Sequence, residues 1–212
     1  MEKIKYNLDE LLSFEQRYRT TFVNSLSGFK MPVLVGTWDS EGNPNLAIFN
    51  SLMHIGANPP LVSLIIRPDS VDRHTLQNIL ETKVFTINHI TEEIYKQAHQ
   101  TSARYSKEQN EFKEVGLSEE YKTDFFAPFV SESPVQIGLD FVQKIEIEIN
   151  GTIMVIGKIK NISLPKNCIS KDGYVNLVKA NSIVSQGLDS YHQVKPISRL
   201  AYAKPDKNVT EL

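Results

Sequence analysis

A chain of 212 residues with 41% apolar side chains holds enough apolar material for a substantial core, and its length fits one large domain with embellishments. A formal charge of −2 and a pI near 6.2 leave no general attraction to nucleic acid or anionic lipid, and neither partner is expected. No apolar run approaches the roughly 20 residues of a membrane span, the N-terminus lacks a signal-like apolar stretch, and the single Cys168 allows neither an intrachain disulfide nor a cysteine-based zinc site, so a soluble, cytoplasmic chain is expected.

Leu8, Leu11, Leu12, Phe14, Tyr18, Phe22 and Leu26 recur at near-helical spacing, with Asn7 or Asp9 able to cap the start and Gly28 the end, which predicts one amphipathic helix. From Met31 the period changes. Val33 to Trp38, the turn-rich Asp39 to Pro44, and Leu46 to Phe49 read as strand, turn, strand. Pro59 and Pro60 exclude helix and introduce Leu61 to Ile66, a buried strand. A short helix follows over 72–81, capped by Asp72, then a strand at Val84 to Ile87 and a helix opening at Thr91 with Glu92 and Glu93 in its first turn. Residues 100–133 are polar and mixed, with helical fragments expected at 106–112 and 118–121. From Phe141, Ile145, Ile147 and Ile149 alternate with charged residues, Asn150-Gly151 is a preferred type I′ pair, and Ile153 to Ile162 returns as the second arm of a hairpin. Lys171-Asp172-Gly173 marks a turn, residues 174–184 an element of open type, and Arg199 to Ala203 a closing strand. Antiparallel strands with helices at the crossings predict an α+β, mainly β protein built on a closed barrel.

The ten glycines form neither GxGxxG nor GxxxxGK[ST], there is no GxSxG, and the five histidines show no HExxH or comparable ligand spacing, so no metal site is expected. What the chain does carry lies between Asn43 and Thr75. Amide side chains and free backbone at Asn45, Asn50 and Ser51 precede Arg67, Arg73, His74 and Thr75, where a strand ends and a helix begins. That set suits a ligand with a polar ring at one end and a phosphate at the other. Solvated arginines and turn-forming asparagines give the same letters without a ligand. The helix dipole weighs against this for the arginines, because two cations at a helix N-terminus are unfavourable unless an anion is bound.

The run GTWDSEGNPNLAIFNSLMHIGANPPLVSLIIRP (Gly36 to Pro68), continued by TLQNILETKVFTIN (Thr75 to Asn88), resembles the flavin reductase-like family of FMN-binding split barrels. The segment 98–117 with its Glu111-Phe112 pair, the SESPV of Ser131 to Val135, and the C-terminal GLDSYH and RLAYAKP extend the likeness over about 28–205. The resemblance implies a six-stranded antiparallel split β-barrel with an N-terminal helix and peripheral helices. It divides the chain into an N-terminal helical extension over 1–30, the flavin domain over 31–205 and a tail over 206–212. It also implies a homodimer with FMN held near the interface. Carried onto this sequence, Asn50, Ser51 and Leu52 line the flavin ring through backbone groups, and Arg67, Ser70, Arg73, His74 and Thr75 hold the phosphate. Asn45 faces either the ribityl chain or its turn. His99 and His192 become catalytic candidates, and Ser102 and Tyr105 substrate contacts.

The implied chemistry is hydride transfer from NADH or NADPH to flavin N5, in which the protein positions reactants and stabilises charge without an acid–base pair of its own. The product would be free reduced flavin or another reduced small acceptor. Two alternatives stay open: a non-catalytic FMN carrier or store, and an oxidase of a pyridoxine phosphate, which would be expected to use a different set of basic residues.

Overall fold

The computed structural model describes residues 1–68 and 74–212. Asn7 opens α1 (Leu8–Ser13) with a capping box, accepting from the Glu10 N–H at 2.9 Å while Glu10 accepts from the Asn7 N–H at 2.7 Å. The single helix expected here is two. The backbone becomes extended at Phe14, and Glu15 caps α2 (Gln16–Leu26) by accepting from the Tyr18 N–H. Arg19 donates to the Leu12 and Phe14 carbonyls left open by the break. Tyr6, Phe14, Tyr18 and Phe22 pack their rings across it, yet neither helix contains a buried residue.

The next strands are β1 (Phe29–Lys30), β2 (Val33–Trp38), β3 (Pro44–Phe49), β4 (Met53–Ala57) and β5 (Pro60–Ile66). Helix α3 (His74–Thr82) leads to β6 (Val84–His89), α4 (Tyr95–Gln100) and α5 (Glu111–Val115). Then come β7 (Glu119–Lys122), β8 (Phe125–Val130), the long arms β9 (Gln136–Ile147) and β10 (Thr152–Ser163), and the short β11 (Val184–Gln186) and β12 (Ser190–His192). The principal sheet is antiparallel and seven-stranded, in the order β3-β2-β6-β9-β10-β5-β4. A three-stranded sheet β1-β11-β12 and the pair β7-β8 flank it.

Mainly β is therefore right, but a closed six-stranded barrel is not. Met53–Ala57 forms an edge strand that its exposed, glycine-containing sequence did not signal, and the two edges, β3 and β4, do not hydrogen-bond to each other. Even so, those edges are consecutive in the chain, joined by Asn50, Ser51 and Leu52 alone. Laid flat, seven strands would separate the edges by roughly 29 Å at about 4.8 Å per strand. From Phe49 to Met53 the chain can reach at most about 15 Å. The sheet must therefore curl until its edges approach, leaving a seam closed by three residues. Ser51 anchors the connection to β5, the neighbour of one edge: its hydroxyl donates to the Ile65 carbonyl and accepts from the Ile65 N–H, both at 3.0 Å. The pair continues the register of Met53 opposite Ser63 with a side chain in place of backbone.

Inside the curl lie Val33, Val35, Leu64, Ile66, Phe85, Ile87, Leu139, Ile153 and Val155. Leu76 and Ile79 of α3 plug one end, and Leu52 packs against the same cluster. Strand end, seam and helix start thus share one apolar support. On the other side, Leu34 and Leu46 pack with Ile90, Ile94, Ala98 and Phe112, which seats α4 and α5 against β3.

Several local expectations differ from the structure. The helix placed at Thr91 begins at Tyr95, because Thr91 instead bridges to Ser182. Residues 119–121 belong to strand β7, which pairs with the apolar β8. The hairpin of β9 and β10 forms, but Ile147 pairs with Thr152, so its loop has four residues, and Gly151 (φ +69), not Asn150, is left-handed. This is not a type I′ turn. Arg199 to Ala203 finds no strand partner beyond a bridge from Leu200 to Glu211. The Asp72 cap lies outside the described residues. No helix among the described residues is long and apolar enough to cross a membrane.

Candidate functional site

Two neighbouring features bear on the Asn43 to Thr75 stretch: the seam and the start of α3. At the seam, Asn50 donates its side-chain amide to the Gly187 carbonyl at 2.7 Å, and Ser51 spends its hydroxyl on Ile65. Both side chains are therefore committed to protein. Among the described residues no acceptor takes the N–H groups of Ser51 and Leu52. Arg67 follows β5, exposed, and has no ion-pair partner among the described residues. The expected phosphate ligands Ser70 and Arg73 lie outside the described residues.

At the start of α3, Thr75 is 7% exposed and its hydroxyl accepts from Asn45 Nδ2 at 3.1 Å. The same nitrogen donates to Thr37 Oγ1 at 3.2 Å, and Thr37 also accepts from Asn78 Nδ2 at 3.1 Å. Four buried polar side chains from β2, β3 and α3 thus form one network. Asn45 turns its amide nitrogen inward to the two hydroxyls. His74, half-buried, is the first described residue of the helix. Thr37 and Asn78 were not among the expected site residues. The legible signal is a polar residue where the pattern calls for apolar: Thr37 is the last but one residue of the run VLVGTW, and Asn78 lies one turn beyond Thr75 on the same helix face.

A polar cleft opens beside this network, lined by Asp39, Asn45, His74, Asn78, Lys107 and Glu111. Glu111 is 7% exposed and accepts from the Leu46 N–H at 3.1 Å. Burial raises its pKa, against the opposing pull of that bond and of His74. Burial also acts to raise Asp39, but bonds from the Asn43 side chain and from the N–H groups of Asn43 and Glu41 outweigh it and hold the carboxyl below its usual range.

The other candidates sit apart from α3. His99 is exposed, with Nδ1 2.8 Å from the Tyr191 hydroxyl. Burial, with Asp189, pushes that phenol up to about 12, so Tyr191 keeps its proton. His192 lies two residues past Ser190, which it meets at 2.9 Å, and its ring packs edge-on to Phe29. Ser102 is exposed, and Tyr105 accepts from Gln100 Nε2 at 3.3 Å. Asn50, through Gly187, ties the seam to the segment that carries Tyr191 and His192; no hydrogen bond joins Ser102 or Tyr105 to it. Among the described residues no three His, Cys, Asp or Glu side chains converge as a metal site.

This fold has counterparts. Residues 26–178 match the model of the flavin reductase like domain. The chain belongs to the flavin reductase like domain family. A crystal structure from Shewanella frigidimarina NCIMB 400, provisionally assigned as a flavin reductase with split barrel domain, is 44% identical, with a TM-score of 0.91 over 95% of this chain and 100% of that one. Nitrilotriacetate monooxygenase component B from Bacillus cereus superposes with a TM-score of 0.81 at 16% identity, over 93% and 98% of the two chains. For 2-nitrobenzoate 2-nitroreductase from Pseudomonas fluorescens the score is 0.80 at 18% identity, over 97% and 99%. These two share the fold. A protein of Aquifex aeolicus (strain VF5) is 31% identical over 103 residues, 48% of this chain; the match spans 53% of that relative's length.

Proposed function

We propose that this flavin reductase-like chain is an FMN-binding oxidoreductase that works as a homodimer and takes electrons from NADH or NADPH for free flavin or another small acceptor. The observation that carries the reading is a set of donors without described acceptors: the Ser51 and Leu52 N–H groups at the seam, exposed Arg67, and the Thr75 hydroxyl in the first described turn of α3. Donor-only groups at two places suit a ligand that offers carbonyl and ring nitrogen acceptors at one end and a phosphate at the other. When bound, FMN supplies the two-electron acceptor for nicotinamide hydride.

This chain's residues bind and orient. Ser51 and Leu52 present backbone N–H groups to the ring edge, where negative charge gathers on reduction. Arg67 and Thr75, with Ser70, Arg73 and His74, hold the phosphate. Leu52, packed on the core, keeps the ring side of the seam dry. His99, held by Tyr191, and His192 remain the side chains in reach of a proton at the C-terminal segment, and Ser102 and Tyr105 the substrate contacts from the excursion. The unpartnered apolar side chains of α1 and α2, among them Leu8, Leu12, Val23 and Leu26, support the dimer.

The test is the visible spectrum of the purified protein, chromatography of what denaturation releases, and anaerobic addition of NADH. A yellow protein that releases FMN and bleaches with NADH supports the enzyme. FMN that stays oxidised moves the assignment to a carrier. A colourless protein that does not take up added FMN removes the cofactor.

A further inference from the structure

We propose that Asn45, Thr37 and Asn78 are positioning residues that present the Thr75 hydroxyl as a donor to the flavin phosphate, so that preference for phosphorylated over unphosphorylated flavin depends on a network that never touches the ligand. The inference rests on the FMN reading above. Asn45 Nδ2 has two protons and two hydroxyl oxygens in reach, Thr37 at 3.2 Å and Thr75 at 3.1 Å. A hydroxyl offers two lone pairs and one proton. Because Asn45 fills a lone pair of Thr75, the Thr75 proton must point elsewhere, and no described residue accepts it.

That state depends on which way the Asn45 amide faces. Turned over, its oxygen would take the Thr75 proton, leaving lone pairs to meet an anion. As found, Thr37 takes the second Asn45 proton, and Asn78 from the next helical turn donates to the same hydroxyl at 3.1 Å, so the amide nitrogen makes both of its bonds inside the network. Thr37, Asn45, Thr75 and Asn78 are 0%, 8%, 7% and 4% exposed. Water competes little for these bonds, so the orientation is set by protein. A dianionic phosphate accepts only; a ribityl hydroxyl end both donates and accepts. A pre-aimed donor can bond either, but it bonds the charged acceptor more strongly than the neutral hydroxyl, and that difference favours the phosphorylated flavin.

The experiment compares FMN with riboflavin, by quenching of flavin fluorescence, on the full chain and on Thr75→Val, Asn45→Ala, Thr37→Val and Thr37→Ser. The wild type is expected to favour FMN. Thr75→Val, Asn45→Ala and Thr37→Val should each lower the FMN-to-riboflavin affinity ratio by roughly five- to tenfold, the scale of one hydrogen bond, with riboflavin affinity little changed. Thr37→Ser, which keeps the hydroxyl, should keep the ratio. A merely structural role would lower the melting temperature without moving the ratio of the folded protein. Should Thr37→Val not fold, Asn45→Ala carries the comparison. A ratio that drops in Thr75→Val but stays in Asn45→Ala and Thr37→Val overturns the inference and leaves the FMN reading intact. A wild type with no preference for FMN, or no flavin binding, overturns the reading and the inference with it.

Discussion

At Gly36 a Cβ would lie 2.2 Å from the Pro128 carbonyl oxygen and 2.7 Å from Thr86 Oγ1, with backbone on one side and a buried hydroxyl bonded to that same carbonyl on the other. Neither can yield without separating β8 from β2 and β6. Gly36→Ala should therefore destabilise by about 2 kcal/mol or more, as overpacked sites do, read from the urea midpoint. A loss under about 0.5 kcal/mol would mean that β8 shifts freely. His89 poses a question of charge. Its ring is 3% exposed, with Nδ1 3.0 Å from Ser182 Oγ, and burial brings its pKa down from 6.5 to about 4. Between those values the unfolded chain binds a proton that the folded chain refuses. The stability is complete above pH 6.5 and is lost as pH falls toward 4, by about 3 kcal/mol in total. His89→Asn should flatten the loss between pH 7 and 4.5 in urea titrations. An unchanged slope would assign the acid sensitivity to other groups.

Among the elements, α5 shows how an edge strand is covered. The Leu46 N–H points away from β2, and the Glu111 carboxylate accepts it, although burial raises the carboxyl's pKa and so disfavours its charge. Glu111→Gln keeps an acceptor and removes the charge, so stability at pH 7 should hold or rise, by less than about 1 kcal/mol. Glu111→Leu orphans the N–H and should lose about 1–3 kcal/mol. Equal losses in both variants would refute this account. Elements with a strict period were readable: β9 and β10 alternate, and α3 presents Leu76 and Ile79 on one face. Those set by partners were not. EEYK has no strand pattern of its own and becomes β7 because Phe125–Val130 lies alongside. RLAYA has the composition of a strand and finds no ladder. Of the candidate site residues, Asn50, Ser51 and Arg67 stand out from their place at strand ends, and Leu52 only through the family resemblance. Thr37 and Asn78 show in the sequence only as polar residues in apolar patterns, because their meeting with Asn45 spans three elements.

For the whole molecule, two parts of the chain stand in contrast. The curled sheet and its helices bury a continuous core, whereas α1 and α2 contain no fully buried residue and leave Leu8, Leu12, Val23 and Leu26 exposed, as is Ile4 before them. They touch the rest through contacts such as the Gln186 side chain donating to the Ser25 carbonyl at 3.5 Å. If these faces meet a second copy, as proposed, the full chain should sediment as a dimer and a chain lacking residues 1–26 as a monomer, with the far-UV spectrum of the sheet retained. A truncated chain that still dimerises would place the interface elsewhere.

The seam also sets an order of events. Because its three residues join strands at opposite edges of the ladder, they can take their places only after the pairings between those edges exist, including β5 with β10, some ninety residues apart in sequence. Asn50 to Leu52 are therefore the last stitch of the refolding chain. If flavin is held there, as proposed, its fluorescence quenching should lag behind the far-UV signal when the protein refolds from urea.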